Sequence, residues 1–175
     1  VPALIAGTAL FYLAREICMK IGGIETSTLP VEEVLVLPRG DENLIFRATG
    51  MKDMETFKRL CPEPEPPKKL MKGGVTVADV EDKGYKEALT NFHKYRMAYI
   101  VVNSLIPSQI EWDTVNVNDP ASWTNWDVDL KKAGLSEFEC SRVLGLVLEA
   151  NCLDETKLRK AREVFLRGTP EAQVA

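Results

Sequence analysis

The chain has 175 residues, of which 45% are hydrophobic and 27% charged, and its net charge is −4. That length and composition suit one globular core, or a core with a small appendage. The acidic balance disfavours generic nucleic-acid binding, which needs a basic face to displace counterions.

Val1 to Ala14 is apolar and then meets Arg15 and Glu16. The stretch is too short to span a bilayer. It also lacks the basic start and small-residue cleavage site of a secretory signal. Its pattern predicts a buried or amphipathic helix over residues 1–18, with Pro2 in the first turn. Met19-Lys20-Ile21-Gly22-Gly23 has the form of a protein start. Residues 1–18 therefore read as an upstream extension, a fusion remnant or an alternative start.

Residues 19–60 read as a β-rich region. Val34-Leu35-Val36-Leu37 is a short apolar run stopped by Pro38, and Leu44-Ile45-Phe46-Arg47-Ala48 is the return strand. Arg39-Gly40-Asp41-Glu42-Asn43 between them predicts a hairpin loop longer than two residues. Arg39-Gly40-Asp41 spells an integrin-type tripeptide, but turn chemistry accounts for it. Asp53 to Leu60 predicts a short helical piece. Residues 61–84 form a strut and loop. Each proline of Cys61-Pro62-Glu63-Pro64-Glu65-Pro66-Pro67 fixes its own φ and restricts the residue before it, which predicts an extended surface segment. It reads as a spacer between hairpin and helices, with PxxP recognition by an aromatic groove as the alternative. Lys72-Gly73-Gly74 predicts a turn joining a second small hairpin.

Residues 85–168 are helical. Ala88, Phe92, Tyr95, Tyr99, Val102 and Ile106 mark one stripe of a long helix ended by Pro107. Asp119-Pro120 is a cap followed by proline at the first helical position, opening a helix that runs to about Ala133 and stops at Gly134. Ser136 and Glu139 have capping-box spacing for the next helix, which ends at Asn151. Asp154 caps a last helix with Ala161, Phe165 and Leu166 as its buried face. Residues 169–175 should fray. The layout predicts an α+β chain: an N-terminal β-hairpin region joined by a proline-rich strut to a C-terminal antiparallel helical bundle.

Chemistry-bearing residues are sparse. The four cysteines form no CxxC pair, and with a single histidine no zinc site of usual spacing is visible. Cys140 and Cys152 read as small core residues. His93 has no locally placed nucleophile, and the pairs Glu32/Glu33, Asp127/Asp129 and Glu137/Glu139 do not face each other as acid–base dyads. Gly22-Gly23 and Gly73-Gly74 lack phosphate-loop endings. Lys68, Lys69 and Lys72 form one basic group, and a second over residues 157–167 reads as a solvated helix face with a phosphate or acidic partner as its alternative. Trp112, Trp123 and Trp126 are the candidate partner-binding residues. They read either as core or, in part, as an exposed anchor for a protein. No catalytic, metal or cofactor-binding residue is assigned.

The layout over about 19–168 resembles small tail-assembly chaperones of long-tailed bacteriophages and related prophage proteins. The residues that carry the likeness are Met19 to Gly23, Glu32 to Gly40, Ile110 to Val115, Asp119-Pro120 through Trp123 to Trp126, Ala133 to Ser136, Glu149 to Glu155 and Ala161 to Leu166. Val1 to Cys18 falls outside it. The resemblance implies a non-enzymatic protein of the host bacterial cytoplasm that coats the helical tape-measure protein and helps recruit tail-tube subunits, with self-association open. A structural virion component, such as a connector or minor tail protein, is the first alternative, and an unrecognised small enzyme the second. Neither a membrane nor nucleic acid is expected as a partner. A tape-measure helix would need an apolar groove, which the sequence does not locate.

Overall fold

The computed structural model describes residues 20–21, 24–25 and 32–168. The helix expected over 1–18, Cys18 and the frayed tail over 169–175 lie outside the described residues. The chain divides into two units, Val1–Pro30 and Val31–Ala175. In the first, β1 (Lys20–Ile21) pairs antiparallel with β2 (Ile24–Glu25). All other described elements belong to the second, and they confirm the α+β class.

There, β3 (Glu32–Arg39) and β4 (Glu42–Thr49) form an antiparallel hairpin with Leu35 opposite Phe46 and Leu37 opposite Leu44. Period-two alternation sends Leu35, Leu37, Phe46 and Ala48 to the core and leaves Val34, Val36 and Ile45 half exposed on the outer face. The expected stop at Pro38 and the longer loop are both corrected. The ladder continues with Pro38 opposite Asn43 and closes on Arg39 opposite Glu42, leaving a two-residue loop. Among the described residues β3 has no partner strand on its other side, and an edge tolerates a proline without an N–H. Gly40 sits at φ 59°, the positive value that short hairpin loops need at their first position.

α1 (Glu55–Leu60) follows, then the extended proline-rich segment and a second hairpin, β5 (Lys68–Leu70) with β6 (Thr76–Ala78). Every residue of β5 and β6 is exposed. α2 (Lys83–Ser104) changes character along its length. Up to Met97 it has no buried residue; Tyr85, Leu89, Phe92 and Tyr95 are partly covered, and the expected stripe member Ala88 is exposed. From Ala98 to Val102 it is buried all round. Ile106, also expected in the stripe, is exposed in a 3-10 turn (Ile106–Ser108). The Ser108 hydroxyl accepts from the Arg47 amide and donates to the Arg47 carbonyl, both at 2.7 Å, and so fastens this turn to β4.

The single helix expected from Asp119 to Ala133 is two: α3 (Pro120–Trp123) and α4 (Trp126–Lys132). The break lets Trp123 and Trp126 point to different surroundings. α5 (Glu137–Ala150) opens on the predicted capping box, with Ser136 Oγ accepting from the Glu139 amide and the Glu139 carboxylate accepting from the Ser136 amide at 2.8 Å. Arg39 reaches the same carboxylate with both guanidinium nitrogens, at 2.8 and 2.9 Å. Its place in the tripeptide is thereby structural. α6 (Glu155–Gly168) is a further correction: Ala161, Phe165 and Leu166 are exposed. The apolar side of α5 is already filled by the hairpin, α2 and α4, so α6 finds no open stripe to pack against.

Leu37, Phe46 and Ala48 share one core with Ile100, Val101, Leu105, Val143 and Val147. The proline-rich segment is therefore not a spacer between two bodies. Where the hairpin leads into α1, the backbone presses on the end of α5. A Cβ on Gly50 would lie 2.7 Å from the Ala150 carbonyl oxygen. Beside it, Asn151 Oδ1 accepts from the Met51 amide at 2.8 Å, while Nδ2 donates to Ser104 Oγ at 2.9 Å and to the Val147 carbonyl at 2.8 Å.

Asn151→Ala would leave an amide and a hydroxyl without partners, a cost of about 1–3 kcal/mol. Gly50→Ala must push two backbones apart, at about 1–3 kcal/mol. Urea unfolding should show a lower midpoint for each with an unchanged slope. The Glu139 carboxyl is held down at about 2, first by the Ser136 amide, then by the Arg39 and Ser136 side chains. A carboxylate whose pKa falls on folding adds stability above its unfolded value and loses it as pH drops through the folded one. The stability gap between wild type and Glu139→Gln should be full above pH 4.5 and close towards pH 2, as read by thermal melts across that window.

Candidate functional site

The three tryptophans have different fates. Trp123 is wholly buried, and its indole N–H donates to the Val117 carbonyl at 3.1 Å. It is a core residue with no face to offer a partner, because the bend after α3 turns it inward against Tyr99 (ring centroids 4.8 Å apart) and Phe57 (6.1 Å). Trp126 is partly buried and packs against both apolar clusters. Trp112 packs on the hairpin–α5 core alone and lines a shallow cavity of about 270 Å³ beside α4. Among the described residues no two tryptophan rings make a ring contact, so they do not act as one anchor.

The loop that carries Trp112 is held by a buried carboxylate. Asp129 Oδ2 accepts from the Asp113 amide at 3.0 Å and the Thr114 amide at 2.8 Å, and Oδ1 accepts from the Thr114 hydroxyl at 2.8 Å. Burial alone would raise the pKa of this group. The Thr114 amide and hydroxyl, with the amides of Val115 and Asp113, outweigh burial and hold the carboxyl below its ordinary value. Asp129 is an ionised brace, a role its Asp127-x-Asp129 spacing did not reveal.

The arrangement best suited to binding lies elsewhere, between α1, the start of the proline-rich segment and the protruding part of α2. A cavity of about 460 Å³ there is lined by Met54, Phe57 and Cys61 on one side, Glu63 on the strut, and Phe92, His93 and Arg96 on α2. Its floor is aromatic. Phe57 is almost wholly buried and meets Phe92 at 5.4 Å and Tyr99 at 5.5 Å between ring centroids. Trp123 backs Phe57 from inside, so this one of the three tryptophan candidates supports the site without entering it. The rim carries Lys58 and Arg96 together with Glu63. Lys58 lies there, paired with Glu55 at 3.3 Å, and Arg96 has no hydrogen bond or ion pair among the described residues. His93 touches the edge of Phe92 at 5.6 Å between ring centroids.

The spacing Phe92, His93, Arg96 was legible on one helix. What hid the site was the partner side, since nothing local in Met54-Glu55-Thr56-Phe57 says that α1 will lie along α2. Cys61 and His93 share this cavity, the one gathering that a thiol or histidine chemistry would need. Burial pushes the Cys61 thiol up, which lowers its thiolate fraction and makes it a poorer nucleophile. Burial also raises Cys140. Cys152, expected in the core, is exposed, at φ 54° just past the end of α5. Among the described residues no group of three or more His, Cys, Asp or Glu side chains is placed to hold a metal ion, and no helix is long and apolar enough to cross a membrane.

No protein-family model, curated protein or solved structure matches this chain.

Iodoacetamide labelling read by peptide mass should modify Cys152 first, Cys61 more slowly and Cys140 last. Labelling of Cys61 ahead of Cys152 would mean a thiol activated within the cavity, and would favour a catalytic reading.

Proposed function

We propose that this chain works by contact rather than catalysis, as a tail-assembly chaperone or adaptor of a phage or prophage that binds tape-measure or tail-tube proteins in the host cytoplasm. The observation that carries this reading is the α1–α2 cavity. An aromatic floor takes an apolar side chain, and Arg96 at the rim takes an acidic neighbour. Its volume suits one or two anchoring side chains of an amphipathic helix rather than a whole helix. A protruding helix with partly covered aromatics offers length on which such a partner can continue. The choice of partner rests on the resemblance over residues 19–168, and the cavity supports this way of holding it.

The tagged chain, recovered from cells producing the particles, should bring down a long coiled-coil tail protein and should be missing from purified particles. Phe92→Ala removes half of the floor and should weaken that capture by about tenfold or more, as loss of a buried aromatic anchor does. Arg96→Glu should weaken it further for an acidic partner. Retention in particles together with tube or portal proteins would instead make the chain a structural component. Recovery of no tail protein would remove the reading altogether.

A further inference from the structure

The α1–α2 cavity carries charges of both signs, and they stand on different elements. Glu63 belongs to the proline-rich segment and Arg96 to α2. Both are exposed, and neither has a hydrogen bond or ion pair among the described residues. The other cation at the rim, Lys58, is already paired with Glu55.

Each of the two free charges is presented by a stiff piece of backbone. Glu63 stands between Pro62 and Pro64. Proline fixes its own φ, and the residue before a proline is confined to extended backbone, so the Glu63 carboxylate leaves the strut from a rigid base. The start of the strut is fastened to α1, where the Cys61 amide donates to the Phe57 carbonyl at 2.8 Å. Arg96 lies one turn beyond Phe92 on α2, about 6 Å along the helix axis. Residues at this spacing share a helix face, so the floor ring and the guanidinium follow one another along the same side of α2.

We infer that the cavity recognises a bipolar segment. Its occupant is an amphipathic helix whose apolar anchor sits on Phe57 and Phe92. A carboxylate on one side of that anchor meets Arg96, and an ammonium or guanidinium on the other side meets Glu63. Together the two charges set the direction in which the helix runs along α2, which an aromatic floor alone does not do. A uniformly acidic helix brings a like charge to Glu63, and a uniformly basic one brings a like charge to Arg96, so the site selects against both. The inference rests on the contact reading of this cavity and makes Glu63 a specificity-determining residue within it.

Four fluorescein-labelled, alanine-based helical peptides test this by fluorescence anisotropy against the full chain. Each has a central phenylalanine with a charged residue four positions to either side: Glu then Lys, Lys then Glu, Glu twice, or Lys twice. One of the mixed peptides should bind about fivefold or more tightly than either like-charged one, the scale on which exposed charges act when attraction is exchanged for repulsion. Glu63→Lys should turn the preference to the doubly acidic peptide, and Arg96→Glu to the doubly basic one. Both residues are exposed, so far-UV circular dichroism should be unchanged. Equal binding of the mixed and doubly acidic peptides would overturn the inference, because Glu63 would then contribute nothing. So would an order of preference that both reversals leave unaltered, or the binding of no peptide. Capture of a tail protein that Phe92→Ala weakens and Glu63→Lys does not would leave the proposed function standing and remove this inference. The expected peptide preferences without capture of any tail protein would do the reverse.

Discussion

The carboxamide of Asn151 is where the fold is tied together. Its oxygen takes the Met51 amide from the segment that leaves the hairpin, and its nitrogen serves Ser104 at the end of α2 and Val147 in the last turn of α5. Three chain segments far apart in sequence would otherwise bring unpaired polar groups to the same place, and unpaired buried groups are costly. Asparagine suits the position because one planar group both donates and accepts. The close approach of Gly50 to the Ala150 carbonyl is the steric counterpart of that node. Once it is set, the inner face of the hairpin lies on α5, and Leu37, Phe46 and Ala48 meet Val143 and Val147.

From that centre the chain grows less buried in both directions. The α2 helix is apolar on all sides where it passes through the core and polar around half of its turn where it leaves. At the other end, Lys157 in the first turn of α6 reaches Glu33 and Glu149 with its charged head. The pKa of Lys157 is raised chiefly by the hydrogen bond it donates to Glu33, so the interaction persists while the lysine is protonated and weakens only as the pH climbs past its elevated value. Exposed ion pairs of this kind contribute little to stability. They suit an element that must be positioned without being buried.

The proposed binding role rests on this gradient. The rigid core supplies the base on which Phe57 and Phe92 are held, and aromatic contact passes from Trp123 through Phe57 to Phe92, from full burial to the surface. A cavity floor braced in this way keeps its shape when a ligand side chain arrives, which reduces the ordering cost of binding. Arg96, without an ion pair among the described residues, stands on the exposed part of α2, where the proposed acidic partner would reach it.

Local chemistry in the sequence determined the elements. Short apolar runs on either side of a turn marked β3 and β4, the Ser136–Glu139 box and Asp154 marked the starts of α5 and α6, and the prolines kept residues 62–67 extended. These signals act within a few residues, so they survive in any context. The tertiary structure alone decided the rest. Trp123 became core because the chain bends between α3 and α4, and α6 stayed exposed because the hairpin had already filled α5. Pro38 stayed in its strand because β3 is an edge. The cavity exists because α1 lies against α2, a contact between residues more than thirty positions apart. Periodicity tells which face of a helix is apolar; which of several apolar faces meet is set by the competition among them for one core.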